Sequence, residues 1–95
     1  MSKSNTVPGL ALYHYHACPF CAYTRQALDK LKLNVERRDV QKSSQHRQDL
    51  IAGGGSRQVP CLRIEREDGQ VKWLYESQDI VKFLVHNFQQ KDMIA

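Results

Sequence analysis

The stretch that decides the fold is residues 10–30, which read LALYHYHACPFCAYTRQALDK. Its first six residues are apolar or aromatic with one interspersed histidine, a pattern typical of a strand buried on both faces. Pro19 then stands where the first turn of a helix tolerates proline, and apolar residues recur at helical spacing from Phe20 to Leu31. The segment therefore predicts a buried strand, a short loop and a helix.

The rest of the chain predicts three more strands and two more helices. Residues 35–40 are a candidate strand, and residues 45–52 a short helix that stops at three consecutive glycines. Residues 59–65 and 71–75 flank Asp68-Gly69, a strong hairpin signal, and are predicted to pair antiparallel. Ser77 is the predicted N-cap of a closing amphipathic helix. The predicted order is β-α-β-α-β-β-α.

Length and composition favour one ordinary globular domain. The chain has 95 residues and a mass of 11.0 kDa, with 41% hydrophobic and 25% charged residues. We expect a single domain over residues 1–95, with residues 1–8 a loose N-terminal segment. No apolar run approaches the roughly 18 residues of a membrane helix, and the polar start does not resemble a signal peptide. We therefore expect a cytoplasmic protein without a membrane partner.

The charge distribution argues against a nucleic-acid partner. The net charge of +4 results from 14 basic and 10 acidic residues. Asp39 and Asp49 interrupt the most basic region, and no aromatic side chains interleave with it, so a nucleic-acid groove is poorly supported. A solvated basic face is the favoured interpretation.

Cys18 and Cys21 form a C-x-x-C motif at the predicted junction of strand and helix. The unpaired N–H groups and the positive dipole end of a helix N-terminus favour a thiolate, so Cys18 is the predicted nucleophile. Cys21 lies one turn further along, where it can attack a mixed disulfide at Cys18, and is the predicted resolving thiol. Arg25, another turn on, is either a source of positive potential for the thiolate or a solvated helix residue.

Two other interpretations of these cysteines stay open at this point. Two free thiols without function occur in protein cores. His14, His16, Cys18 and Cys21 also form H-x-H-x-C-x-x-C, and two histidines with two cysteines suit tetrahedral zinc. However, both histidines lie on a strand that must be buried, and no second pair of ligands follows elsewhere in the sequence. We therefore expect no bound metal.

Three motifs in order resemble the glutaredoxin family over about residues 10–88. CPFC at residues 18–21 is similar to the family's dithiol active site, with Phe20 where tyrosine is usual. RQVP at residues 57–60 resembles the segment that carries a cis-proline beside the thiols. ESQD at residues 76–79 resembles the turn that holds the γ-glutamyl end of glutathione. Its sequence is closer to the one found in the N-terminal domain of glutathione transferases.

This resemblance implies a thioredoxin-like α/β fold, with a mixed four-stranded sheet flanked by three helices. It also implies glutathione-dependent reduction of disulfides and of protein–glutathione mixed disulfides. Glutathione would be a co-substrate, with no tightly bound cofactor, and the protein partners would be glutathionylated or disulfide-containing proteins. We expect the protein to act as a monomer.

The resemblance also assigns site residues. Cys18 and Cys21 would be catalytic, and glutathione would contact Phe20, Arg57, Val59, Pro60, Ser77 and Gln78. Val59 would pair through its backbone with the peptide-like ligand, beside a cis Pro60. The N-terminus of the last helix would offer N–H groups to a carboxylate.

The chain departs from the family's usual pattern at several positions. Tyr15 stands three residues before the nucleophile, where many members have lysine or arginine, and Cys61 follows the proline, where it is expected to be a core thiol or a regulatory one. Two alternative functions remain open. One is a module in which two chains hold an iron–sulfur cluster through Cys18, and the other is a transferase-like domain that binds glutathione without redox turnover.

Overall fold

The computed structural model describes residues 6–88 and contains the seven predicted elements in the predicted order. The elements are β1 (Thr6–His14), α1 (Pro19–Lys30), β2 (Asn34–Asp39), α2 (Ser44–Gly54), β3 (Cys61–Glu65), β4 (Val71–Tyr75) and α3 (Ser77–Phe88). None of the three helices within residues 6–88 is long and apolar enough to cross a membrane.

The four strands form one mixed sheet in the order β2-β1-β3-β4. β1 and β2 are parallel and are joined through α1, as parallel neighbours require a crossover connection. β1 pairs antiparallel with β3, and β3 pairs antiparallel with β4, as predicted for the hairpin. The two central strands, β1 and β3, are therefore flanked on both sides. Their burial explains why β1 has an almost continuous apolar sequence.

Alternate side chains of the central strands supply two cores, one on each face of the sheet. α1 and α3 cover the first core, which contains Leu10, Leu12, Leu28, Val35, Leu62, Ile64, Ile80 and Leu84. α2 covers the second, which contains Ala11, Tyr13, Val40, Leu50 and Cys61. Three helices thus flank the sheet, and the fold is the thioredoxin-like one that the family resemblance implied.

α2 continues through the glycines at which the sequence predicted its end. A Cβ atom on Gly53 would overlap the ring of Trp73, and one on Gly54 would overlap the hydroxyl of Tyr75. The two glycines therefore let the last turn of the helix lie directly on β4. The helix ends at Gly54, and its C-cap Gly55 has a φ of 86°, in the left-handed region that favours glycine.

We expect Gly53→Ala to destabilise the protein, although alanine is the better helix former. The added methyl group must displace the Trp73 ring, and overpacking of this kind costs about 1–3 kcal/mol. Urea unfolding followed by tryptophan fluorescence measures the change, because Trp73 is the chain's single tryptophan. Gln48→Ala, on an exposed position of the same helix, is the control and should change the free energy of unfolding by less than about 0.5 kcal/mol. An equally stable Gly53→Ala protein would show that the approach of α2 to β4 is not tight.

Strand β1 is longer than predicted at its N-terminal end. The segment expected to be loose, residues 1–8, includes Thr6, Val7 and Pro8, which belong to β1. Thr6 pairs with Asn34 of β2, and the Asn34 side-chain amide donates a hydrogen bond to the Thr6 hydroxyl at 3.1 Å. This expectation was therefore wrong for residues 6–8, and residues 1–5 lie outside the described part of the chain.

The start of β3 and the start of α3 also differ from the predictions. β3 begins at Cys61 and not at residue 59, because Pro60 has no N–H group for the strand ladder. α3 begins with Ser77 as a helical residue, so Ser77 is not the N-cap. The carbonyl of Glu76 accepts the first helical hydrogen bond, from Ile80 N–H at 3.0 Å, and Glu76 is therefore the N-cap.

Candidate active site

Cys18 is the N-cap of α1, as the C-x-x-C motif predicted. Its backbone is extended, Pro19 occupies the first helical position, and its Sγ accepts a hydrogen bond from the Cys21 N–H at 3.2 Å. One of the otherwise unpaired N–H groups of the first turn thus points at the sulfur. An N–H donor and the positive end of the helix dipole both favour negative charge at this atom.

Both thiols of the C-x-x-C motif are buried, and the residues between them are exposed. Cys18 is only 5% exposed, because its sulfur lies against the first helical turn. Cys21 is fully buried, whereas Phe20 between them is 64% exposed. Phe20 therefore forms an exposed apolar surface beside the nucleophile and does not belong to the core.

The Cys21 thiol is a hydrogen-bond donor, whereas the Cys18 sulfur is a hydrogen-bond acceptor. Burial raises the pKa of the Cys21 thiol to about 12, and a hydrogen bond from this thiol to Cys18 contributes to the same shift. Cys21 therefore remains a protonated donor at neutral pH, with the Cys18 sulfur as its acceptor. A protonated thiol beside a sulfur that accepts hydrogen bonds is the arrangement that separates a resolving cysteine from a nucleophile.

The histidines that suggested zinc are not arranged as a metal site. His14 Nδ1 accepts a hydrogen bond from the Arg25 guanidinium at 2.9 Å, so this ring nitrogen faces a cation. Within residues 6–88, no group of three or more His, Cys, Asp or Glu side chains is placed to hold a metal ion. The four residues of the H-x-H-x-C-x-x-C pattern are therefore close in sequence without forming a tetrahedral donor set.

A cavity of about 510 Å³ lies beside the first turn of α1. Its lining consists of Phe20, Gln58, Val59, Pro60, Glu76, Ser77, Gln78 and Asp79. The structure thus brings together five of the six residues expected to contact glutathione. Arg57 is the exception, because it is exposed and does not belong to the lining. Three lining residues were not assigned as contacts from the sequence, namely Gln58, Glu76 and Asp79.

The loop that forms one wall of the cavity is held by a set of polar contacts. The Ser56 hydroxyl accepts the Gln58 N–H at 3.1 Å, and the Ser56 carbonyl accepts the Tyr75 hydroxyl at 3.1 Å. The Gln58 side chain then donates to the Glu76 carboxylate at 3.0 Å across the cavity. This last contact joins residues 18 positions apart, so no local sequence signal could have indicated it.

The Val59–Pro60 peptide bond is cis, as the family resemblance predicted. Val59 is half-buried, and its backbone N–H and C=O have no hydrogen-bond partner within residues 6–88. A buried or half-buried backbone normally pairs both groups. The free edge of Val59 is therefore able to pair with an extended ligand in the cavity.

The opposite wall is the start of α3. Glu76 has a φ of 74°, a left-handed conformation that side chains other than glycine rarely adopt and that is common at functional sites. The N–H groups of Ser77, Gln78 and Asp79 have no acceptor within the helix, because they belong to its first turn. The lining also contains the carboxylates of Glu76 and Asp79 and no lysine or arginine. This wall thus offers both N–H donors and negative charge.

Cys61 is a core thiol, which was the simpler of its two interpretations. It is fully buried in the core under α2, and burial raises the pKa of its thiol to about 12. A buried, protonated thiol is chemically inert. The third cysteine therefore contributes packing and not redox chemistry in the folded protein.

The fold and this site define a dithiol protein of the thioredoxin-like class, with the nucleophile at a helix N-terminus and a peptide-sized cavity beside it. A sequence profile of the glutaredoxin family matches residues 10–68, more than half of the chain. The protein belongs to the glutaredoxin family. This membership supports glutathione-related thiol chemistry as its general class of activity.

Solved structures share the thioredoxin-like fold of this chain. A mutant of a thioredoxin-like protein is 23% identical, with a TM-score of 0.66 over 87% of this chain and 100% of its own. Maleylacetoacetate isomerase from Anaeromyxobacter dehalogenans, with glutathione bound in its active site, is 27% identical, with a TM-score of 0.67 over 86% of this chain. An epsilon-class glutathione S-transferase from the housefly, Musca domestica, is 21% identical, with a TM-score of 0.68 over 88% of this chain.

This chain covers different fractions of the three proteins. The chain spans 38% of the isomerase and 37% of the housefly transferase, so it corresponds to little more than a third of either. The thioredoxin-like protein is matched over its full length. A comparison with curated proteins finds no significant match.

Proposed function

We propose that the protein is a glutathione-dependent thiol–disulfide oxidoreductase that reduces disulfides and protein–glutathione mixed disulfides. The observation that carries this proposal is the arrangement of the two free thiols at the start of α1. The Cys18 sulfur accepts an N–H at the start of α1, and the Cys21 thiol behind it is kept protonated by burial. This pair lies next to the cavity that Phe20 and Val59 line.

The reaction is a sequence of two thiol–disulfide exchanges. The Cys18 thiolate attacks the glutathione sulfur of the substrate, a Cys18–glutathione disulfide forms, and the substrate sulfur leaves as a thiolate that takes a proton from water. A second glutathione, as thiolate, then attacks the bound glutathione sulfur and releases glutathione disulfide and the Cys18 thiolate. With a disulfide substrate, Cys18 attack leaves a Cys18–substrate mixed disulfide. The Cys21 sulfur then attacks the Cys18 sulfur, and its proton passes to the substrate thiolate that leaves. Two glutathiones reduce the resulting Cys18–Cys21 disulfide and become glutathione disulfide.

The cavity has a partner for each end of the γ-glutamyl-cysteinyl part of glutathione. The backbone of Val59 pairs with the cysteinyl amide in the manner of an added strand. The N–H groups at the start of α3 bind the γ-glutamyl carboxylate, and the carboxylates of Glu76 and Asp79 bind its ammonium group. Because the lining has no lysine or arginine, the proposal assigns Arg57 no direct contact. Glutathione in the active site of the similar isomerase supports this ligand.

Turnover of a glutathionylated peptide, coupled to the appearance of glutathione disulfide, tests the proposed function. The protein should release the peptide at a rate that rises with glutathione concentration. A colourless protein that binds glutathione but does not release the peptide would support the non-catalytic, transferase-like alternative instead. A brown protein with visible absorption after anaerobic purification would support the iron–sulfur alternative.

We expect Asp79→Asn to weaken glutathione binding about tenfold, because a charge-assisted hydrogen bond contributes roughly 1.5–3 kcal/mol. Titration calorimetry in a Cys18→Ser background, which cannot form a covalent adduct through residue 18, measures the dissociation constant. Glu67→Gln, on an exposed residue outside the cavity lining, is the matched control and should leave binding unchanged. A glutathione analogue without its amino group should bind equally with and without the Asp79→Asn change. A tenfold difference for this analogue as well would refute the ammonium contact.

The proposed reaction also implies a compartment. Reduced glutathione must be abundant for the second exchange to proceed, and the cytosol maintains such a reducing glutathione pool. Free thiols at all three cysteines are compatible with this environment. We therefore propose a cytoplasmic location, which fractionation of the native host cell would test.

A further inference from the structure

Arg25 is not the solvated helix residue that was one of its two interpretations. Its guanidinium donates to His14 Nδ1 at 2.9 Å, to the Tyr15 carbonyl at 3.3 Å and to the His16 carbonyl at 3.1 Å. The side chain is half-buried, and all three acceptors lie at the end of β1 or in the loop that follows it. A single side chain of α1 thus binds the segment that enters the helix. We name Arg25 and these three acceptors the Arg25 clasp.

The loop held by the clasp is joined to the backbone of Cys18 and influences the Cys21 thiol. The Tyr15 carbonyl, which accepts from Arg25, also accepts the Cys18 N–H at 3.3 Å. The backbone of Tyr15 also lowers the pKa of the Cys21 thiol, against the larger effect of burial, which raises it. A displacement of residues 15–17 would therefore move the Cys18 backbone relative to the first turn of α1 and change the surroundings of the Cys21 thiol.

We propose that Arg25 is a positioning residue that fixes the loop of residues 15–17 and thereby aims the Cys18 sulfur for attack. The rate effect rests on the proposed function, whereas the effect on the geometry of Cys18 does not. Arg25 acts here through backbone carbonyls and not as a direct partner of the Cys18 sulfur. Its planar guanidinium suits this task, because three acceptors are reached by one rigid group.

The clasp needs a neutral His14. Burial, and then the charge of Arg25, lower the pKa of His14 below its ordinary value of 6.5. Asp39 of β2 opposes this shift, whereas Arg37 of β2 and the neighbouring His16 reinforce it. A protonated imidazole has no acceptor nitrogen, so protonation would break the contact with Arg25 and place two cations together. The pKa of His14 is lower in the folded protein than in the unfolded chain. The stabilisation from its contact with Arg25 is therefore present above about pH 6.5 and is lost as the pH falls through the folded pKa.

The first experiment compares Arg25→Ala and Arg25→Lys with Gln26→Ala, an exposed neighbour on the same helix. We measure the rate at which iodoacetamide alkylates Cys18 and the hydrogen-exchange protection of the Cys18 amide, which donates to Tyr15. Arg25→Ala should lower protection and should reduce kcat/KM for a glutathionylated peptide about tenfold, since small misplacements of reacting groups cost up to about 100-fold. Arg25→Lys keeps the charge but not the three contacts, and it should behave like Arg25→Ala.

The second experiment changes His14 to asparagine, whose amide oxygen accepts a hydrogen bond without titrating near neutral pH. In the native protein, Cys18 amide protection should fall as the pH is lowered below about 6.5, and in His14→Asn this fall should disappear. Full rescue by Arg25→Lys, or unchanged protection in Arg25→Ala, would overturn the proposal. If the native protein shows no glutathione-dependent turnover while Arg25→Ala still loses protection, the clasp stands and the proposed function fails.

Discussion

Cys18→Ser is expected to reduce glutathione-dependent release of a glutathionylated peptide to background, a loss on the order of 1000-fold or more. Cys21→Ser, in contrast, should keep most of this activity. The two variants differ because the two sulfurs lie in different environments. The Cys18 sulfur accepts an N–H at the start of α1, whereas Cys21 is fully buried and the pKa of its thiol is raised to about 12. A serine hydroxyl is not ionised at neutral pH and does not replace the thiolate.

The substrate decides whether Cys21 is needed. With a glutathionylated peptide, external glutathione resolves the Cys18–glutathione disulfide, so Cys21→Ser remains active. With an intramolecular protein disulfide, the enzyme–substrate mixed disulfide is resolved by Cys21, and Cys21→Ser should be slow. Cys61→Ser is the control, because Cys61 lies in the core under α2 and is inert. An inactive Cys21→Ser protein beside an active Cys18→Ser protein would reverse the two roles.

Iodoacetamide is expected to label Cys18 at least about 100-fold faster than either of the other cysteines at about pH 7. Burial raises the pKa of both Cys21 and Cys61 to about 12, above an ordinary value of 9.0. A rise of about three units reduces the thiolate population about 1000-fold, and the thiolate is the form that reacts. Cys18 is 5% exposed, so its absolute rate is limited by access, but the other two thiols are fully buried.

Brief labelling of the reduced protein, followed by peptide mapping, measures this order. The same treatment in denaturant is the control, because all three thiols then have similar environments and should react at similar rates. Equal labelling of the three cysteines in the folded protein would contradict the assignment of Cys18 as nucleophile. Early labelling of Cys61 would show that the α2 side of the sheet opens readily.

The sequence predicted the elements because their signals are local. The apolar run before residue 16, the proline after Cys18 and the glycine of the hairpin each determine the backbone within a few residues. The same is true of the nucleophile, since a C-x-x-C at the start of a helix specifies which sulfur meets the N–H groups. The order of the elements and the identity of the nucleophile could therefore both be predicted from local sequence.

Errors occurred where a distant contact overrides a local signal. Three glycines end a helix by propensity, but Gly53 and Gly54 are helical. Trp73 and Tyr75 of β4 occupy the space that side chains at these two positions would need. The Arg25 clasp is similar, because nothing in the local pattern shows that this side chain returns to the β1–α1 loop. Contacts of this kind depend on how elements pack, which periodicity does not encode.

The walls of the cavity show the same difference between local sequence signals and distant contacts. The motifs at residues 57–60 and 76–79 located both walls, yet the contact between Gln58 and Glu76 became visible only in the fold. Conversely, Arg57 belongs to the first motif but is exposed outside the lining. A motif thus places a loop near the site, whereas the backbone decides which of its side chains enter the cavity.

The central claim is that Cys18 carries glutathione during the reaction, and mass spectrometry of Cys21→Ser tests it most directly. After incubation with a glutathionylated peptide in the absence of free glutathione, the intact protein should gain the mass of one glutathione, and peptide mapping should place it on Cys18. Addition of glutathione should remove it and yield glutathione disulfide. A Cys21→Ser protein that releases the peptide yet carries the adduct on Cys61, or carries none at any time, would contradict the account.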